Sequence, residues 1–270
     1  MPDRATLNDT VELMRDLRKR CDWDAAQTHQ SLRPYLIEES HELDDAIREG
    51  DSSLMREELG DLLLQVLFHS VIAEERNEFD VNDVAHGLIA KMKARHPHLY
   101  GEGVKEPWEK MKSKKRASIA DGLPAALPPL HRAHRLQDRA AGVGFDWPDV
   151  AGPAAKVEEE LAEVLEILKT AAVPVPHAPP VLDAAHAELE AELGDLLFAC
   201  VNLCRKAGVH ASLALDKANL KFEERFREVE ALARSRDIDV GSAGLEVLDR
   251  LWDEVKSEKA NGGRRERRGD

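Results

Sequence analysis

Apolar residues return every three or four positions along most of the chain, the spacing that gives a helix one apolar side. Leu7, Val11, Leu13, Met14 and Leu17 predict a first helix over 6–20. A turn at Cys21-Asp22-Trp23-Asp24 leads through Gln27-Thr28-His29 to a second helix, with Pro34 near its start, where a missing amide donor costs little. Gly50-Asp51 breaks the pattern, and Ser52 or Ser53 is the expected cap of a third helix reaching about Ala73. Asp80 or Asn82 caps a helix over 81–95 that ends at His96-Pro97-His98, and a further helical stretch carries Trp108-Glu109-Lys110-Met111-Lys112. From Ser113 to Pro129 the composition turns to Lys, Gly, Ala and Pro, as expected of a linker. A second series follows: a helix over 130–141, a turn over Gly142–Pro148, a helix pair broken by Val173-Pro174-Val175-Pro176, and closing helices over 212–234 and 245–256. The pattern predicts an all-α protein with two tandem helical-bundle repeats, 1–112 and 130–256, a linker over 113–129, and a disordered basic tail over 257–270.

Carboxylates interrupt the apolar sides at matching places in both halves. In Glu38-Glu39-Ser40-His41-Glu42, Glu39 and Glu42 share a helix face, and in Glu58-Leu59-Gly60-Asp61 so do Glu58 and Asp61. Leu36 and Leu43 flank Glu39, Leu54 and Leu62 flank Glu58, and Leu64 and Phe68 follow Asp61, which sets the acids on or beside the side expected to face the interior. The short Gly50 loop makes the two helices antiparallel neighbours, so the four acids can meet. The arrangement returns as Glu159-Glu160-Leu161-Ala162-Glu163 and Glu192-Leu193-Gly194-Asp195, with a longer connecting loop. A single acidic pair is most simply a solvated helix face. Two pairs repeated as a unit point instead to a carboxylate cage, because buried unpaired acids cost several kcal/mol each unless a cation compensates them. Oxygen donors suit hard divalent ions, Mg2+ or Mn2+.

Composition narrows the function further. The 270 residues carry a net charge of -14, which argues against nucleic-acid binding by the folded body while leaving room for a metal-bridged anionic substrate. Arginines at 264, 265, 267 and 268 lie in the expected tail, where a solvated role is the simpler one. Three cysteines without regular spacing, and no apolar run long enough to span a membrane, fit a reducing cytoplasm. Phosphate donors recur by halves: Lys91 and Arg95 in the first match Lys221 and Arg225 in the second, and Trp108 with Lys112 matches Trp252 with Lys256. Each Trp either stacks on a base or covers the bundle end. His41, His96 and His98 are expected at structural or surface positions.

At these residues the sequence resembles the MazG family of nucleoside triphosphate pyrophosphohydrolases in its two-repeat form. The resemblance rests on the paired acidic motifs, on Cys21-Asp22-Trp23-Asp24 with Gln27-Thr28-His29, on Arg95-His96-Pro97-His98, and on Lys217-Ala218-Asn219 leading into Lys221-Phe222-Glu223-Glu224-Arg225-Phe226. It implies a homodimer that hydrolyses a nucleoside triphosphate to the monophosphate and pyrophosphate with Mg2+. It further implies metal ligands at Glu160, Glu163, Glu192 and Asp195, and nucleotide contacts at Lys156, Lys221, Arg225, Trp252 and Lys256. The first half keeps the equivalents Glu39, Glu42, Glu58, Asp61, Lys91, Arg95, Trp108 and Lys112. Glu159, or Glu38 in the first half, is the candidate to orient or deprotonate the attacking water. The second half is the expected seat of turnover. Asp22 stands where the family commonly has Pro, which leaves the acids untouched. The rival expectation is a regulatory module in which one or both repeats bind nucleotide without turnover.

Overall fold

A computed structural model describes residues 5–101, 103, 105, 116–170 and 184–266. The chain divides into two compact units, Met1–Lys105 and Glu106–Asp270. Among the described residues every regular element is a helix, and none is long and apolar enough to cross a membrane.

The first unit begins with α1 (Leu7–Arg20), which is entered through a reciprocal cap. The Thr6 hydroxyl accepts from the Asp9 amide and the Asp9 carboxylate accepts from the Thr6 amide, so donors that no helical carbonyl can reach are satisfied. After the short α2 (Asp22–Ala26) come α3 (Arg33–Glu49) and α4 (Ser52–Glu75). Gly50 supplies the left-handed turn between them, at φ +73°. The cap of α4 is Asp51, not Ser52 or Ser53, because its carboxylate accepts from both the Ser53 and Leu54 amides. α5 (Val81–Arg95) is capped by Asp80, with Asn82 donating to it from within the first turn, and α6 (Pro97–Tyr100) follows.

Val11 and Met14 of α1, Leu32, and Leu67, Phe68, Val71 and Ile72 of α4 form the first core. Two arginines close its edge. Arg15 grips Glu74 through two bonds of 3.0 and 2.9 Å, while Arg18 bonds Glu75 at 2.9 Å and donates to the Ala25 and Gln27 carbonyls. That last pair of contacts ties the α2 turn to α1.

The second unit contains α7 (Pro129–Gly142), α8 (Ala151–Thr170), α9 (Ala184–Lys206), α10 (Ala211–Ser235) and α11 (Leu245–Glu266). α8 and α9 pair along their length, as α3 and α4 do. Val229, Ala233, Leu251 and Val255 form a core between α10 and α11. The described part of the 113–129 stretch belongs to the second unit: the buried Arg139 guanidinium donates to the Ile119 carbonyl at 2.6 Å and the Asp121 carbonyl at 2.9 Å. The helix expected to stop near Lys256 continues to Glu266, since extending a formed helix needs no new nucleus. The helical stretch expected around Trp108 and Lys112 lies outside the described residues.

Candidate active site

The antiparallel α3–α4 pair brings Glu39, Glu58 and Asp61 together, with one carboxylate oxygen from each within 4.8 Å of the others. The α8–α9 pair does the same with Glu160, Glu163 and Glu192. Glu42 and Asp195, the fourth members expected of each cage, are exposed and outside these triplets. Both remain close by: Glu42 repels Glu39 and Glu58, and Asp195 lines a cleft with Glu160.

The electrostatics of the triplets are those of like charges held together. Burial first, then Asp61, Glu42 and Glu58, raise Glu39 above the ordinary carboxylate range. Glu58 is raised by partial burial, then Glu42 and Asp61. In the second unit burial, Glu160 and Glu192 raise Glu163. Glu160 is the most enclosed of the group, at 5% exposure. Each triplet is therefore a set of hard oxygen donors whose mutual repulsion a divalent cation would relieve, and the residues fit Mg2+ or Mn2+.

The second triplet also has an organic counter-ion. Lys156 Nζ lies 2.9 Å from Glu159 and 2.5 Å from Glu160. Lys156 and Glu159, expected as a nucleotide contact and a catalytic base, are thus paired with each other. Glu38, the equivalent base candidate, is exposed on α3.

The remaining expected contacts are more scattered. Lys91 is exposed on α5, and Arg95 is half-buried at the end of the same helix. Lys221 is exposed on α10. Arg225 sits 5.9 Å over the Trp252 ring, which tilts against Phe222 at 5.3 Å and packs, partly buried, on the α10–α11 core. Lys256 pairs with Asp253 at 3.4 Å. The apolar residues beside the acids do not all face inward: Leu36, Leu54 and Leu64 of the first unit and Leu161, Leu193 and Phe198 of the second are exposed.

Two features had no counterpart in the sequence pattern. A cleft of 690 Å³ opens beside Glu160 and Asp195, walled by α7, α9 and the Gly144–Trp147 turn. Its floor is set by Asp146, which bonds Arg205 and Lys206. Burial works against the Asp146 carboxylate, but these hydrogen bonds prevail and hold it below its ordinary range. The signal available in the sequence was Phe145-Asp146-Trp147, aromatic and acidic residues placed where a bare turn needs neither. The second feature is histidine clustering. His29 and His69 share a hydrogen bond of 2.7 Å between their Nδ1 atoms, and the His210 ring lies 4.9 Å from His131 and 4.4 Å from His134.

Helices alone among the described residues, with two carboxylate triplets on paired helices, define a class of duplicated α-proteins with two candidate metal sites. The comparisons narrow the class: the MazG nucleotide pyrophosphohydrolase domain matches twice, over residues 27–100 and 153–230. The chain belongs to the MazG family. It is 40% identical over 261 residues to the nucleoside triphosphate pyrophosphohydrolase of Escherichia coli, covering 92% of this chain and 95% of that one. A nucleoside triphosphate pyrophosphohydrolase/pyrophosphatase MazG of Thermotoga maritima is 42% identical over 255 residues, covering 91% and 94%. A nucleoside triphosphate pyrophosphohydrolase of Mycobacterium tuberculosis is 41% identical over 168 residues, covering 58% and 50%.

Proposed function

We propose that this protein hydrolyses nucleoside triphosphates to the monophosphate and pyrophosphate with Mg2+, and that the second unit carries the turnover. The observation that supports it best is the shared lining of one cleft by Glu160, Asp195 and Lys156, which sets metal-binding oxygens and a phosphate-binding cation beside a space of ligand size. Glu160, Glu163, Glu192 and Asp195 would hold Mg2+. When bound, the ion would supply positive charge to offset the phosphates and would favour ionisation of a nearby water. Lys156 changes partner in this scheme, leaving Glu160 to neutralise the phosphate chain. Glu159, released from Lys156, then becomes a base within reach of the water. Lys221, Arg225 and Lys256 are assigned to the departing pyrophosphate, and Mn2+ is an acceptable substitute ion.

The first unit gives less support to turnover. Superposing Glu58–Asp61 on Glu192–Asp195 in sequence sets Phe68 against Asn202, a cleft residue of the second unit. Phe68 is 2% exposed and packed edge-on by Trp23 at 6.4 Å, so an apolar ring fills that place. A second copy of the chain is the proposed cover for the leucines left exposed along α8 and α9. Gly60 and Gly194 have open space above them, which leaves room for close approach.

Pyrophosphate release from a panel of nucleoside triphosphates, with Mg2+ or EDTA, tests the assignment. Glu160→Gln should lower turnover at least a hundredfold, and Glu39→Gln should leave it within about threefold. Normal turnover by Glu160→Gln would overturn the placement in the second unit.

A further inference from the structure

The cleft beside the acidic cluster contains a buried polar atom that nothing in the protein satisfies. Gln137 is 6% exposed, and its side-chain nitrogen donates to the Phe198 carbonyl at 2.8 Å. A carbonyl can only accept, so the amide nitrogen must be the atom facing it, and Oε1 is turned the other way. Oε1 is buried without a hydrogen-bond partner, at the lining of the cleft. Such an orphaned acceptor is destabilising unless a donor meets it.

Asn202 supplies the complement. Its carbonyl oxygen is occupied by two bonds from Arg205, at 3.1 and 2.9 Å, which leaves the amide N–H groups for the cleft. Asn202 is one helical turn beyond Phe198, whose carbonyl holds Gln137, so an acceptor and a donor stand side by side. Across from them are two aromatic faces. Phe145 is 83% exposed, an unusual degree for a phenylalanine held in a turn, and Trp147 is about half exposed. Both line the same cleft, and their turn is fixed by Gly144 at φ +92° and by the Asp146 ion pairs.

From these positions we infer that the cleft is the nucleobase subsite of this protein, with Gln137 Oε1 accepting an amino N–H of the base, Asn202 donating to its ring nitrogen, and Phe145, the more exposed of the two rings, stacking on its face. The inference rests on the proposed function for its substrate class. Spacing supports it: Asp195 and Asn202 share one stripe of α9 two turns apart, roughly 10 Å, which is room for a sugar between a metal-held phosphate and a base edge. Stacking accepts any base. Discrimination therefore falls to the amide pair, and bases with neither an amino group nor a ring N–H at that edge leave Gln137 Oε1 orphaned.

The test uses the full chain in EDTA and nucleosides that carry no phosphate. Affinities of adenosine against purine riboside, and of cytidine against pyrimidin-2-one riboside, are measured by ligand-observed NMR. In the wild type the amino-bearing member of at least one pair should bind roughly tenfold more tightly, and Gln137→Met should remove that difference. If Gln137→Met does not fold, Phe145→Ala, which truncates an exposed ring, should weaken both members of the pair several-fold. Equal binding within both pairs, a difference that survives Gln137→Met, unchanged binding by Phe145→Ala, or no nucleoside binding at all overturns the subsite, the last result pointing to a second copy of the chain as the occupant. Nucleoside binding as expected, but no pyrophosphate release from any triphosphate, would leave the subsite standing and remove the proposed hydrolysis instead.

Discussion

Lys156 bridges Glu159 and Glu160 from one turn earlier on α8, and the residue at its place ahead of Glu39 is Tyr35. The Glu160 and Glu159 carboxylates push the Lys156 ammonium further above its already high range, so it stays charged. The second triplet thus has a resident cation that a metal ion must displace, whereas among the described residues Glu39, Glu58 and Asp61 form no such ion pair.

Replacing Lys156 by Met removes that competitor. In a Glu39→Gln background, where the first site is disabled, Lys156→Met should bind Mn2+ several-fold more tightly in calorimetry without nucleotide. With nucleotide, the same change should raise KM, because the phosphate contact is lost. Weaker metal binding would mean that Lys156 organises the triplet and does not compete for it.

Gly152 lies under the Trp147 indole. A Cβ there would stand 2.3 Å from Trp147 Cε3, far inside van der Waals contact. Gly152→Ala should displace the ring and cost about 1 to 3 kcal/mol, despite the better helix propensity of Ala. Thermal unfolding reads the cost, and a shift in tryptophan emission reads the displacement. A gain in stability would show that the turn yields freely.

The histidine clusters predict a pH dependence with a definite sign. Burial and the neighbouring His29 lower His69, and burial followed by His210 lowers His131. Burial is also the main cause for His134, where Asp138 opposes it only in part. A lowered folded pKa means that the unfolded chain binds more protons between that value and its own, about 6.5. The contribution is present above about 6.5 and is lost as pH falls through the window below it. The melting temperature should accordingly drop between pH 7.5 and 5.5. His69→Leu, which installs the residue the second unit has at Leu203, should flatten part of that slope. An unchanged slope would mean that the His29–His69 pair takes no part in it.

Arg139 binds the 119–121 segment to α7 through two carbonyls. Arg139→Met leaves both without that donor in a buried place, a loss on the order of 2 kcal/mol or more. Trypsin cleavage after Arg116 should accelerate in the variant, with cleavage elsewhere in the second unit little changed. Equal rates at Arg116 would remove Arg139 as the clamp.

The helices were legible because their apolar spacing and their breakers agree: Asp80, Gly50 and the His96-Pro97 stop mark ends found in the structure. The two triplets were legible for a related reason, since acids three apart on adjoining antiparallel helices have few other places to go. What the pattern hid lies in contacts between distant residues. Gln137 reads as an ordinary polar position on α7, and only its bond to Phe198 reveals that the other half of its amide is stranded. Asp51 outcompetes Ser52 as a cap by one residue, a margin that periodicity does not resolve. The expected inward stripe of leucines failed because periodicity marks an apolar face without saying what covers it.

Those leucines have a consequence for how the protein must be assayed. Leu161, Leu165 and Leu168 on α8 and Leu193 and Leu197 on α9 are all exposed on a single chain. If a second copy is what covers them, the working species forms by collision, and the rate per chain is not a constant of the chain. Serial dilution from micromolar to nanomolar would then give turnover that falls faster than enzyme concentration, and the midpoint of that fall would report the affinity of one copy for another.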